Sequence, residues 1–237
     1  MADFTIGLTM DQDTITYIKQ NQYQLYGIKF MTTDFPASPL IWFTDDEFLE
    51  RTPIQWNKAY EAFISTQLDY KPGTVITAYS SQKISAHVII PSASSKDINL
   101  GQEMIVEGMG ALSIQNGQAD EIIIQSKTTT NYACGLNQSV VSLPATPLFI
   151  AQILSGEIKT MTPLTENVLL MFSPIIPPKQ TSTVVDAAFA PGILISLSSI
   201  ETSREVTWSR DQQWGPKNQN WITEISAGDD LTKLYSI

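Results

Sequence analysis

The chain has 237 residues, 43% hydrophobic and 16% charged, which suits one large β-domain or two units that each bury a core. Its formal net charge of −10, with only 14 Lys and Arg residues scattered through the chain, argues against a nucleic-acid partner, because phosphate binding needs clustered positive charge. The same charge argues against purely electrostatic binding to anionic lipid and favours solubility.

The first residues contain no basic segment followed by an apolar one, and no stretch approaches about 20 consecutive apolar residues. The sequence therefore predicts no transmembrane span and a cytoplasmic location, with export that needs no leader as the alternative. A single cysteine, Cys134, cannot form an internal disulfide, which agrees with a reducing compartment. Binding at a membrane surface and oligomerisation both stay open.

The N-terminal part of the chain predicts a β-hairpin followed by a proline turn. Two runs rich in β-branched and aromatic residues, 14–20 and 23–31, predict strands joined at 20–22. Two prolines, Pro36 and Pro39, cannot both lie inside a central strand, so they predict a turn before a short buried strand.

An acidic and exposed connection, 45–50, leads to a segment, 52–65, that is ambiguous between helix and strand. Trp56 and Tyr60 recur at helical spacing, and a Thr-Pro pair suits the first turn of a helix. The matching part of the second half contains the run VLLMF, which is typical of a buried strand. We interpret the segment as a strand or a helix of one to three turns, with its aromatic side chains in the core.

The clearest hairpin comes next in the chain. Two β-branched runs, 74–81 and 83–91, predict antiparallel strands with the bend at 80–83. A related run in the second half also begins after a Pro-Gly pair. The alternation of both runs places Ile76 and Ile195 in the core.

An internal repeat organises the whole sequence: residues 25–43 recur 108 positions later as 133–151. Glycine and proline at fixed spacing repeat backbone geometry as well as apolar character. The sequence therefore predicts an all-β fold of two tandem, internally duplicated sandwich-like or barrel-like units, 1–115 and 116–237. We expect pseudo-two-fold symmetry and at most a short helix in each unit, with one larger pseudo-symmetric barrel as the alternative. The matched residues are Gly27 with Gly135, Pro36 with Pro144, Ala37 with Ala145, Pro39 with Pro147 and Leu40 with Leu148.

The second unit carries an expanded segment, 207–224. The spacing between matched residues rises from 118 at Val88 and Val206 to 127 at Gly101 and Gly228, which adds nine residues there. Aromatic faces beside amide, carboxylate and guanidinium groups are what sugar recognition uses. The predicted ligand-binding residues are Trp208, Arg210, Asp211, Trp214, Asn218, Asn220 and Trp221.

Within this segment we expect Trp214 to be exposed and Gly215-Pro216 to hold the loop tip in a turn. A core position for Trp208 and Trp221 is the alternative, with the strands ending and beginning there. The same aromatic residues would also suit a lipid interface or a protein partner.

No nucleophile elbow, phosphate-binding loop, dinucleotide fingerprint or metal-binding motif occurs, so the sequence predicts no catalytic residue, no cofactor and no metal. His87, the only histidine, is predicted to be structural. Cys134 matches Tyr26 of the first unit and is predicted to be buried, although a pairing with His87 would be needed for it to act as a nucleophile.

The favoured function is a non-enzymatic binding protein of lectin-like type that recognises a carbohydrate or other small ligand. One alternative is a membrane-acting, toxin-like β-protein. Another is a small-molecule enzyme or cyclase with a pocket in a barrel mouth or between the repeats, because carboxylates from distant strands can meet in a folded chain.

Overall fold

A computed structural model describes residues 4–77, 82–85, 88–91, 93–174 and 179–236, without the side chains of 82–85, 88–91, 164–165 and 236. The described residues are mostly β-strand, as the composition predicts, with a single α-helix among them. The sheets in these residues stay open, so the barrel-like alternative is wrong for this part of the chain.

The helical elements are α1 (Gln12–Gln20) and two 3-10 turns, Gly108–Gly110 and Leu231–Ser236. The strands are β1 (Phe4–Thr9), β2 (Gln24–Thr33), β3 (Ser38–Pro39), β4 (Phe43–Asp45), β5 (Arg51–Trp56), β6 (Tyr60–Ser65), β7 (Gln82–Ser85), β8 (Val88–Pro91), β9 (Ala93–Ile98), β10 (Gln102–Val106), β11 (Leu112–Asn116), β12 (Ile122–Ser126), β13 (Tyr132–Gln138), β14 (Thr146–Pro147), β15 (Phe149–Ile153), β16 (Ile158–Ser173), β17 (Gly192–Leu197), β18 (Ser203–Ser209), β19 (Gln213–Gly215) and β20 (Ile222–Ile225).

These strands form three larger sheets and one isolated hairpin. One sheet has the order β19-β18-β1-β5. A second has the order β11-β10-β12-β16-β17-β20, and β2 and β4 are attached to it through β16. The third has the order β3-β15-β13-β6-β9, with β14 beside β13, and β7 pairs with β8.

The strand predicted at 14–20 is wrong, because these residues lie in α1. Asp11 caps this helix by accepting a hydrogen bond from the backbone N–H of Thr14 at 2.7 Å. Ile15 and Ile18, three residues apart, are buried on one side of the helix. The β-branched residues favoured a strand locally, and the cap together with core packing outweighs that preference.

The ambiguous segment 52–65 is resolved as two strands, β5 and β6, and its aromatic residues Trp56 and Tyr60 are buried as predicted. The hairpin predicted next, which paired 74–81 with 83–91, is wrong: 74–77 lie in no strand, 78–81 lie outside the described residues, and the observed hairpin pairs β7 with β8. The pairing leaves only 86 and 87 between the two strands, and these lie outside the described residues.

The predicted core positions Ile76 and Ile195 are both buried, and Cys134 is fully buried in β13. Of the two Pro-Gly pairs, the first forms a turn in which Gly73 has a φ of +89°. Gly192 of the second pair is instead the first residue of β17.

Strands of the first half pair with strands of the second half. β2 runs antiparallel to the C-terminal part of β16, and β6 runs antiparallel to β13. β1 pairs in parallel with β18, and β10 pairs in parallel with β12. The N-terminal and C-terminal halves of the chain therefore share all three larger sheets.

Gly27 lies inside β2, in the strand predicted at 23–31, and Gly135 lies inside β13. A Cβ atom added at Gly27 would overlap the ring of Phe43. One added at Gly135 would lie 2.7 Å from the ring of Phe63 and would overlap the carbonyl oxygen of Phe149. Close approach of a neighbouring strand, and not a positive φ, therefore requires glycine at both positions.

Candidate functional site

The segment predicted as an expanded loop is largely a β-hairpin. Trp208 of β18 lies directly opposite Trp214 of β19. Both rings pack on Phe172 of β16, with centroid distances of 4.7 Å for Trp208 and 5.4 Å for Trp214. Since residues directly opposite each other project from the same face of a sheet, one contact surface covers both tryptophans.

The predicted exposure of Trp214 is wrong: only 6% of the residue is accessible, and only 4% of Trp208. The physical reason is the pairing, which turns both indoles toward the core and stacks Trp214 on Phe172 at an interplanar angle of 21°. These two residues contribute to folding, and their rings are not open to a ligand in this structure.

The turn of the hairpin is formed by 210–212, not by Gly215-Pro216, and its residues are exposed. It faces the first two turns of α1. Together the two elements enclose a cleft of about 470 Å³, which we call the tip cleft. Its lining consists of Asp11, Asp13, Thr14, Tyr17, Ser209, Arg210, Asp211 and Gln212.

Local hydrogen bonds hold both sides of the tip cleft. The Ser209 hydroxyl accepts a bond from the Gln212 N–H at 3.1 Å, and the Gln213 amide donates to the Arg210 carbonyl at 2.9 Å. The Arg210 guanidinium carbon lies 4.9 Å from the ring centroid of Tyr17, so a cation–π contact links the tip to α1. The tip is therefore anchored at its base by two buried rings and at its end by α1.

The charges in the tip cleft are mixed. The Thr14 backbone N–H, and then its hydroxyl, lower the pKa of Asp11 from its ordinary value of 3.8, so this carboxylate is ionised at neutral pH. Asp13, Asp211 and Arg210 add further charges, and Gln212 adds an amide. Such a lining offers several hydrogen-bond acceptors and donors within one small volume, which suits a polyhydroxylated ligand.

The other predicted site residues do not line this cleft among the described residues. Asn218 and Asn220 are exposed in the connection that leads to β20. Trp221 is half-buried, and the guanidinium carbon of Arg204 lies 4.7 Å from its ring centroid. The structure thus brings Arg210 and Asp211 together with α1 and leaves the remaining residues in other positions.

Sequence reasoning missed a buried ion pair between Lys29 of β2 and Glu166 of β16, each with a side chain 1% accessible. The Trp56 indole donates to a Glu166 carboxylate oxygen at 2.9 Å, and the Tyr60 hydroxyl donates to the other at 3.3 Å. The Lys29 ammonium also lies 2.5 Å from the side-chain oxygen of Gln138. Both charges are therefore hydrogen-bonded, as buried charges must be.

Three aromatic rings surround the Lys29 ammonium: Trp56 at 5.3 Å, Trp42 at 5.4 Å and Tyr60 at 5.6 Å from the nitrogen to the ring centroid. Burial lowers the pKa of Lys29, and the carboxylate of Glu166 opposes that shift. Burial, followed by the Glu166 charge, raises the pKa of Tyr60 well above 10.0. The sequence feature that could have indicated this ion pair is a lysine inside an apolar strand. No spacing rule, however, links position 29 with position 166.

Cys134 does not have the properties of a nucleophile. Burial raises the pKa of its thiol to about 12, so it stays protonated at neutral pH. Its conceivable partner, His87, lies outside the described residues. In the part of the chain that the structure describes, no three His, Cys, Asp or Glu side chains are grouped so as to hold a metal ion. Within the same residues, no helix combines the length and apolar character needed to cross a membrane.

Comparisons with models of protein families, with curated proteins and with solved structures give no significant match to this chain.

Proposed function

We propose that this chain is a non-enzymatic, lectin-like binding protein that holds a carbohydrate in the tip cleft between α1 and the β18–β19 turn. The observation that carries the proposal is the cleft of about 470 Å³, which has charged and hydroxyl groups on both walls and an amide on the hairpin wall. Sugars present many hydroxyl groups in a small volume, and carboxylate, amide and guanidinium groups recognise them by hydrogen bonds.

The tryptophans have a different role in this proposal from the one that the sequence suggests. Trp208 and Trp214 fix the hairpin on the core, and Arg210, Asp211 and Gln212 contact the ligand. Tyr17 supplies the aromatic surface, one part of which is covered by Arg210. The proposed ligand contacts do not include Asn218, Asn220 and Trp221. We further propose that the protein acts in the cytoplasm.

We also propose that the fold arose by duplication of a unit, with residues 1–115 and 116–237 as the two copies. The exchange of strands between halves supports this, because β2 pairs with β16 in the same sense as β13 pairs with β6. Positions 29 and 137 would then be equivalent.

The strand partners favour a different alignment for the later part of each copy. The β10–β11 hairpin pairs in parallel with β12, and the β18–β19 hairpin pairs in parallel with β1. These hairpins, and not β7–β8, are then the counterparts in the two copies. Superposing the halves with β10 on β18 tests this alignment, and a failure to overlay the two parallel pairings would reject it.

A glycan array probed with the purified chain tests the proposed function. We expect binding to a limited set of glycans, and a loss of about tenfold or more in affinity for Arg210→Ala and for Asp211→Asn, because each removes a charge-assisted hydrogen bond. Lys217→Ala is the matched control, since it removes one exposed positive charge from the connection beyond β19.

Glycan binding that is unchanged in Arg210→Ala and Asp211→Asn would contradict the tip cleft as the site. An array without a bound glycan would contradict the lectin-like function. Leakage of liposomes on addition of the protein, or turnover in a metabolite screen, would favour the membrane-acting or enzymatic alternative.

A further inference from the structure

A second cleft, of about 350 Å³, opens beside the sheet that contains β9, β6 and β13, and we call it the sheet cleft. Its lining includes Tyr60 and Glu61 of β6, Asp97 of β9, and Asn137 and Gln138 of β13. None of these residues belongs to the tip cleft. The sheet cleft is therefore a separate feature, and any ligand it holds is independent of the proposed function.

Three of its side chains form a single row across the sheet. Asp97 lies directly opposite Glu61, and Glu61 lies directly opposite Asn137. Like charges directly opposite each other destabilise a sheet. Among the described residues, no Lys or Arg lines the cleft, and neither Glu61 nor Asp97 forms an ion pair.

Asn137 gives an independent indication of a ligand. It is fully buried, and its side-chain oxygen has no hydrogen-bond donor in the structure. Its amide nitrogen makes only a long contact of 3.5 Å to the Glu61 carboxylate. A buried acceptor without a donor is costly, and each such group in a folded protein calls for an explanation.

We propose that the sheet cleft binds the primary ammonium group of a small aliphatic polyamine. An –NH₃⁺ group carries three N–H donors and no acceptor, and the row offers three acceptors: the Asp97 carboxylate, the Glu61 carboxylate and the Asn137 oxygen. The positive charge removes the repulsion between the two carboxylates, and one N–H satisfies Asn137. The aliphatic chain of the ligand extends along the cleft past Ala59 and Ala145.

An ammonium group fits this row better than the other cations. A divalent metal takes six or more oxygen ligands or several carboxylates, and the described residues contain no group of three acidic, His or Cys side chains. A guanidinium group presents a planar fork of donors, which matches one carboxylate and not three acceptors in a row.

Isothermal titration calorimetry with spermidine, at constant ionic strength, tests the proposal on the full chain. We expect saturable binding that weakens about tenfold or more in Glu61→Gln and in Asp97→Asn, since each removes a charged acceptor. Glu103→Gln is the matched control, because Glu103 is a half-buried strand carboxylate on β10, outside the cleft, and accepts a bond from Gln115. It should change the affinity by less than about twofold.

Tetraethylammonium is the control ligand, because it carries a positive charge without an N–H donor, and it should not displace spermidine. Equal weakening in Glu103→Gln would show attraction to the net charge alone and would overturn the proposal. Displacement of spermidine by equimolar Mg²⁺ would identify a divalent-cation site instead, and it too would overturn the proposal. So would the lack of saturable binding at millimolar spermidine.

Discussion

The β10–β11 and β18–β19 hairpins have the same pairing pattern and different packing. In the first, Met104 lies opposite Ile114, which is half-buried, and the tip carries Met109, 84% exposed. In the second, Trp208 lies opposite Trp214, and both are buried. The aromatic pair therefore fixes the second hairpin on the core, so that its polar tip is held against α1.

Truncating the buried ring of Trp214 should cause the largest loss of stability among the changes that test this difference between the hairpins. Trp214→Ala should lower the free energy of unfolding by about 3–5 kcal/mol, because it removes the ring stacked on Phe172 and leaves a cavity. Ile114→Ala, which truncates the partner of Met104 in the other hairpin, should cost less than about 2 kcal/mol, since the Ile114 side chain is only half-buried. Urea denaturation followed by circular dichroism measures both losses, and equal values would remove the contrast.

Removing a buried or an exposed carboxylate shows how much ion pairs, as distinct from ring packing, contribute to stability. Glu166→Gln should cost about 3–5 kcal/mol, because it leaves the buried Lys29 ammonium without its counter-charge. Glu205→Gln, on β18, breaks the exposed pair with Arg51 and should cost no more than about 1 kcal/mol. A larger loss in Glu205→Gln than in Glu166→Gln would mean that exposed charges hold the β18–β19 hairpin.

The stability of the Glu166→Gln variant should also depend on pH. Burial lowers the pKa of Lys29 in the folded chain, and the variant lacks the carboxylate that opposes the shift. The unfolded chain then binds more protons at this site, so stability should rise as the pH approaches the ordinary lysine value of about 10.4. A flat profile between pH 7 and pH 10, measured by urea denaturation, would contradict the buried position of Lys29.

Asp11 stabilises the α1 side of the tip cleft, and its effect should be smaller. Its pKa is lower in the folded chain than its ordinary value of 3.8, so its contribution is present above that value and is lost as the pH falls through the folded pKa. Asp11→Ala should therefore lower the melting temperature at pH 7 and have little effect at pH 2. Asp11→Asn keeps a capping oxygen that does not titrate, so it should resemble the wild type at pH 7 and be more stable than the wild type at pH 2.

Arg210→Ala should have the smallest effect on stability, within about 1 kcal/mol, because the residue is exposed and its contact with Tyr17 is a surface cation–π interaction. Thermal denaturation of Arg210→Ala, compared with the control variant Lys217→Ala, measures this loss of stability. A large loss of stability would mean that the tip supports the fold, and the β18–β19 tip would then have a structural role instead of a binding role.

Local patterns predicted the strand content and several core positions, including Ile76, Ile195 and Cys134. They failed at 14–20, where β-branched residues favoured a strand and a capped, amphipathic helix formed. The choice depended on the Asp11 cap and on the packing of Ile15 and Ile18 against the core, and only the second of these needs the tertiary fold.

The composition of the tip cleft was partly predictable, and its geometry was not. Arg210 and Asp211 were identified from their position between tryptophans, but the pairing of Trp208 with Trp214 decides which side chains face the core. The α1 residues that complete the cleft are about two hundred positions away in the sequence. Lys29 and Glu166 meet for the same reason, through pairing of strands from opposite halves.

The central claim is that the hairpin tip contacts the ligand, while Trp208 and Trp214 hold the hairpin on the core. Nuclear magnetic resonance tests this claim most directly. The side-chain N–H signals of Arg210 and of all five tryptophans can be followed while a glycan selected on the array is added. We predict that the Arg210 signal shifts and saturates with the ligand, and that the indole signals of Trp208 and Trp214 stay in place. Shifts of those two indoles, with Arg210 unchanged, would contradict the account.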